Sequence, residues 1–172
     1  MKKRTTILFT LLLISFQLMF AQVPDWYNKE MNRMVGTWIA DNSNYVTEQE
    51  TDDSYAIQWS WGKNKESLNG ILYGLKDGNK TNEYWTFIQF WDDTLQKVRF
   101  NQISTFGTKG EGFLESVSIK ETKLVQTFTT PEVQTFKEGH KTQIFEGYEV
   151  STSYKIKDDD WIKKRSYKWI KQ

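Results

Sequence analysis

The chain of 172 residues has no cysteine, only two prolines and a single histidine. Without cysteine there is no disulfide framework, no thiol nucleophile and no thiolate site for zinc or an iron–sulfur cluster. One histidine argues against a His-rich metal site and against a histidine-centred relay. Neither charge sign is in excess: 23 Lys and Arg stand against 22 Asp and Glu. That balance argues against a protein that binds nucleic acid by neutralising phosphates. Gly-x-Ser-x-Gly, HExxH and a phosphate-cradling Gly-rich loop are all missing. What the chain has in quantity is aromatic: eight Trp, eight Tyr and eleven Phe. That load argues against disorder, and the length suits one domain with a real core.

The one long apolar run, Ile7–Phe20, follows Met1-Lys2-Lys3-Arg4. A basic start, a run of about 14 mostly apolar residues and a small residue at Ala21 make the layout of a secretory signal peptide. The run is shorter than the ~20 residues that span a bilayer. A retained N-terminal anchor is the alternative; no cysteine follows that could carry a lipid. The expectation is a signal over residues 1–21 and one domain over 22–172, exported to the periplasm or secreted, with no membrane anchor after cleavage. Loss of Lys2, Lys3 and Arg4 turns the slight basicity into a slight acidity. Asn79-Lys80-Thr81 is a formal glycosylation sequon.

Beyond the signal, residues 24–34 suit one short helix, with Trp26, Met31 and Met34 able to share a face. The rest alternates with period two, as half-buried strands do. Tyr55–Trp61 is the clearest case; Leu68–Leu75, Tyr84–Trp91, Val98–Phe106, Phe113–Ile119 and Leu124–Thr130 follow. Reversals are expected at Asp77-Gly78, Asp92-Asp93, Gly107–Gly112 and Gly139-His140. Ile144–Ile156 and Trp161–Ile170 then make a last hairpin around Asp158-Asp159-Asp160. The fold class expected is all-β: an antiparallel up-and-down barrel of eight to ten strands with a short N-terminal helix.

The stretch Met34-Val35-Gly36-Thr37-Trp38 puts Gly-x-Trp at the start of the first strand, just after a helix. It resembles the calycin superfamily of lipocalins, fatty-acid-binding proteins and lipocalin-like barrels. The resemblance implies that Gly36 permits close packing, that Trp38 plugs the closed end, and that a basic side chain on the last strand covers it, with Arg165 the nearest candidate. Asn42–Asp53 is too short and polar for the helix pair of fatty-acid-binding proteins. The spacing of Trp59-Ser60-Trp61-Gly62, Leu68-Asn69-Gly70, Tyr73-Gly74 and Trp85 through Trp91 is more similar to bacterial exported lipocalin-like families of unknown function.

Candidate site residues are polar groups on apolar faces, and aromatics on consecutive strands. Glu115 lies among Phe113, Val117 and Ile119; Glu146 among Ile144, Tyr148 and Val150; Arg165 with Trp161, Tyr167 and Trp169; Gln102 and Ser104 between Phe100 and Phe106. If those faces point inward, the charges should pair, since an unpaired buried charge is costly. Three readings follow. The first is a binding barrel for a small apolar or amphipathic molecule, with Trp59, Trp61, Tyr73, Trp85 and Tyr148 as the wall and Arg165 with Glu115 at the polar end. The second is a carbohydrate-binding module that uses tryptophans as an exposed platform. The third is a small enzyme with Glu115 or Glu146 as acid/base. An ordinary filled core, with internal salt bridges, stands beside all three. No cofactor, metal or nucleic-acid partner is expected. His140 reads as a solvated loop residue, and Asp158-Asp159-Asp160 as a hairpin tip lacking the Gly and distal Glu of a calcium loop.

Overall fold

Pro24, with φ −60°, opens a helix α1 (Asp25–Met34) that carries Asp25 in its first turn. Tyr27, Glu30 and Met31 share its buried face, the spacing of one helical stripe. These residues belong to a computed structural model that describes residues 23–172; the expected signal over residues 1–21 lies outside the described residues.

Ten strands follow α1 among the described residues: β1 (Gly36–Asp41), β2 (Ser54–Trp61), β3 (Ser67–Lys76), β4 (Asn79–Asp92), β5 (Lys97–Ser104), β6 (Lys109–Ser118), β7 (Glu121–Thr129), β8 (Thr135–Ile144), β9 (Tyr148–Lys157) and β10 (Asp160–Lys171). Each pairs antiparallel with the next, and β10 returns to β1 through Trp38↔Lys171, Ile39↔Ile170 and Ala40↔Trp169. The sheet is a closed up-and-down barrel, as the strand rhythm led us to expect. Closure leaves no free sheet edge. The two-residue turns Asp77-Gly78 and Asp158-Asp159 have positive φ at both positions, the hairpin geometry that matches the strands' own twist.

Two of the expected reversals are corrected. Gly139 and His140 do not turn the chain; they lie in the middle of β8, and the reversal falls at Phe145–Gly147, with Gly147 at φ +76°. Gly139 is there because the Trp161 ring lies across it: an added Cβ would stand 2.4 Å from Trp161 Cζ3. In the same way Gly110 and Gly112 are inside β6 rather than in a flexible turn. The place of a Cβ on Gly112 is taken by the Val125 carbonyl, 1.9 Å away.

The core sits at the α1 end of the barrel. Trp38, Leu68, Val98 and Trp169 pack there against Tyr27 and Met31, with Trp61 and Trp91 at their margin. Trp38 Nε1 donates to the Met34 carbonyl at 2.8 Å, tying the first strand to the helix end. The cation over the Trp38 ring is not Arg165. It is Lys171, 5.6 Å from the centroid, with Arg33 at 5.1 Å. Lys171 Nζ also donates to the Arg33 carbonyl at 2.6 Å, where a helix C-terminus favours positive charge. Arg165 lies six residues earlier on β10, toward the opposite end. There the loop 42–53 folds over the barrel, pinned by two buried polar residues. Asn42 donates to the Asp52 carbonyl at 2.9 Å and accepts from Tyr167 at 2.8 Å. Asp52 accepts from Thr81 at 2.8 Å and from the Tyr84 hydroxyl.

Candidate functional site

A barrel of about eight strands can be filled by its own side chains. This one has ten, and a cavity of about 500 Å³ remains inside it. Glu30 and Met34 of α1 form its floor. One wall is aromatic. Trp59 stacks on Phe87 with centroids 5.5 Å apart, and Phe87 leans on Phe100 at 5.7 Å. Gly70 makes this possible: a Cβ there would stand 2.6 Å from the Trp59 ring. Leu72 and Trp85 continue the wall toward the mouth.

The facing wall, from β7 to β10, is mixed, with Leu124, Phe128, Phe136 and Trp169 set among polar groups. Gln126, Glu138, His140, Glu149, Ser153 and Lys164 all reach the cavity. Glu138 pairs with Lys164 at 2.5 Å. His140 lies across from Ser153 in the β8–β9 register. Burial holds its imidazole below the ordinary value; nearby Glu138 pulls the other way, and Lys164 adds to the lowering. At the floor Arg33 stands 2.7 Å from Glu30 and 2.7 Å from Glu149. Burial pushes the Glu149 carboxyl up against the pull of Arg33. Gln126 Oε1 accepts from Gln102 at 3.0 Å, while its Nε2 has no partner within the protein. Gln89, fully buried, reaches Met34 Sδ with its Nε2 at 3.4 Å, and its Oε1 is unpartnered. Such buried, unmatched polar atoms are rare in native structures, because each forfeits its hydration.

Above the cavity, a groove at the mouth shares Leu72 and Trp85 with it. Arg165 stands in this groove, gripping Glu50 with both guanidinium nitrogens at 2.5 and 2.7 Å. Its plane lies over the Tyr45 ring, 5.0 Å from the centroid. The Glu50 carboxylate also accepts from Tyr55 at 2.7 Å. Arg165, the strongest influence, holds Glu50 below the usual carboxylate range.

Of the residues that the sequence brings forward, Trp59 and Trp85 line the cavity. Trp61 packs at the closed end beside the core, short of the cavity. Tyr73 faces outward, beneath Lys80 at 4.7 Å. Tyr148 faces outward too, stacked on Phe145 at 4.7 Å and covered by Lys168 at 4.3 Å. Glu115 is exposed on the outer face of β6, across from Lys123, and does not meet Arg165. Glu146 is exposed in the β8–β9 turn. Gln102 does point inward. His140, expected in a solvated loop, is the largest correction: it faces the cavity from mid-strand. Sequence reasoning missed Glu30, Gln89, Gln126, Glu138, Glu149 and Lys164. A signal was present in the alternation Phe136, Glu138, His140, Thr142, but Gly139 reads as a turn and hides it.

Of the eight tryptophans, Trp38, Trp59 and Trp169 are buried and the other five are half-buried. Among the described residues no cluster of three or more His, Asp or Glu is placed to hold a metal ion. No protein-family model matches the chain, and no curated protein matches it.

Proposed function

We propose that the protein binds a small amphipathic molecule inside the barrel, without catalysis, as an exported lipocalin-like binder. The observation that carries this is the mixed lining of the cavity: aromatic side chains such as Trp59, Phe87 and Phe100, together with a few polar ones, Gln126, His140 and Ser153 among them. Ligand pockets combine an apolar lining with a few placed polar groups, and a cavity of a few hundred Å³ is their usual size. The unpartnered Gln89 Oε1 and Gln126 Nε2 supply the polar groups that a ligand would satisfy. Trp59 and Trp85 carry the apolar contact. Arg165 with Glu50 sits at the mouth, where it orders the loop 42–53 over the entrance.

Native mass spectrometry of the protein purified from its own host tests this directly. A non-covalent adduct of small-molecule mass is expected, and Trp59→Ala is expected to lose it while still folding. An adduct-free spectrum, together with no thermal stabilisation by any apolar or amphipathic compound, sinks the reading. Export rests on residues 1–21. The N-terminus of the protein recovered outside the cytoplasm is expected close to Gln22; recovery only from the cytoplasm with Met1 intact would refute it.

A further inference from the structure

We infer that the ligand carries a positively charged nitrogen head on an apolar body, with the head seated on the cavity floor between Glu30 and Glu149. This deepens the binding reading above and rests on it. Charge is the first reason. Three carboxylates line the cavity (Glu30, Glu138 and Glu149) against one ammonium, Lys164. Lys164 is taken by Glu138 at 2.5 Å. Glu30 and Glu149 share a single guanidinium, Arg33, at 2.7 Å each, and Arg33 stands behind the floor rather than in it. The floor therefore holds one carboxylate more than its cations, and an anionic head would add a like charge in a poorly hydrated space. Burial, the largest influence, and the nearby Glu30 both raise the Glu149 carboxyl against the pull of Arg33, and a cationic head seated beside it would favour its charged form.

Hydrogen bonding is the second reason and is independent of charge. Gln89 is fully buried and its Oε1 has no partner. Its Nε2 reaches Met34, one helical turn beyond Glu30. The floor thus offers acceptors: two carboxylates and an amide oxygen. An ammonium has three donors and no acceptor, so it answers the acceptors of the floor, whereas a carboxylate head would answer only the unpartnered donors Gln126 Nε2 on the wall and Arg33 Nη1 behind the floor. The aromatic wall is the third reason. Trp169 is the direct register partner of Glu149, and Trp59, Phe87 and Phe100 are neighbours in the same cavity. Ring faces attract a cation and bury the apolar body to which it is attached.

Titration calorimetry with three matched probes separates the possibilities: tryptamine, tryptophol and indole-3-propionate share the ring and differ in head charge. Tryptamine is expected to bind at least about tenfold tighter than either of the others. Glu149→Gln is expected to remove that advantage and leave tryptophol within about twofold, with an unchanged melting transition showing that the barrel is intact. Equal or tighter binding of tryptophol or indole-3-propionate overturns the cationic head while leaving the binding cavity standing. An unaltered tryptamine affinity in Glu149→Gln overturns the seat on the floor. No binding of any of the three overturns this inference, and the cavity itself is then judged by the native mass measurement.

Discussion

His140 shows how much one residue's surroundings decide. Its neighbours in sequence, Lys137, Glu138 and Lys141, are those of a solvated turn. In the fold it is enclosed by the barrel wall, and burial holds the imidazole neutral against the pull of Glu138. The sign of the linkage follows. A folded value below the unfolded one means that the unfolded chain takes up the proton first, so acidification through about pH 6.5 destabilises the fold. His140→Gln removes this titration. Urea midpoints measured from pH 7 down to about pH 5 are expected to fall less steeply for the variant than for the wild type. Parallel slopes would show that the fold does not hold His140 neutral.

At the scale of elements, β9 uses its faces in the opposite sense to β2 and β4. On β2 and β4 the apolar face turns in, with Ile57, Trp59, Trp85 and Phe87 toward the cavity. On β9 the inward residues are Glu149, Ser151 and Ser153, while Tyr148 and Tyr154 turn out beneath Lys168 and against Trp161. Period two was legible in the sequence for both. Which face points inward was legible only where the apolar face follows the usual rule, so Glu115 and Tyr148 were placed inside and are not. The span of the helix was legible, because Pro24 and Asp25 mark its start, but its buried face was only partly so: Met31 is on it, with Tyr27 and Glu30 in place of the expected Trp26 and Met34. Its weight in the fold is testable. Met31 is 2 % exposed, and Met31→Ala is expected to cost about 2–5 kcal/mol by chemical denaturation, since the closed end leaves little room for collapse. A cost under about 1 kcal/mol would mean that α1 is not part of the plug.

On the scale of the whole molecule, closure rests on the seam between β1 and β10, the pair most distant in sequence. Three register pairs hold it, together with Gln172 N–H to the Thr37 carbonyl at 3.0 Å. Removing residues 169–172 takes away all three pairs and Trp169 from the core. The truncated chain is expected to lose its near-ultraviolet circular dichroism and its cooperative melt. A retained sharp transition would show that the remaining sheet folds without the seam. The strand number matters on the same scale. It leaves about 500 Å³ that the side chains do not fill, and it brings Gln89, Glu30 and Glu149 from β4, α1 and β9 to one floor.

The sequence by itself determined what is local. A short helix and a succession of alternating strands follow from periodicities that each segment carries alone, and hairpin turns at Asp77-Gly78 and Asp158-Asp159 follow from the backbone freedom of those residues. Their joining into a barrel was a sound expectation for the same reason, since short turns keep sequential strands adjacent. The tertiary structure alone decided which faces look inward, that Gly139 lies under Trp161 rather than in a turn, and which distant charges meet. Arg165 finds Glu50, and Arg33 is shared by Glu30 and Glu149, because closing a tilted sheet sets side chains opposite one another across a space that no local pattern records.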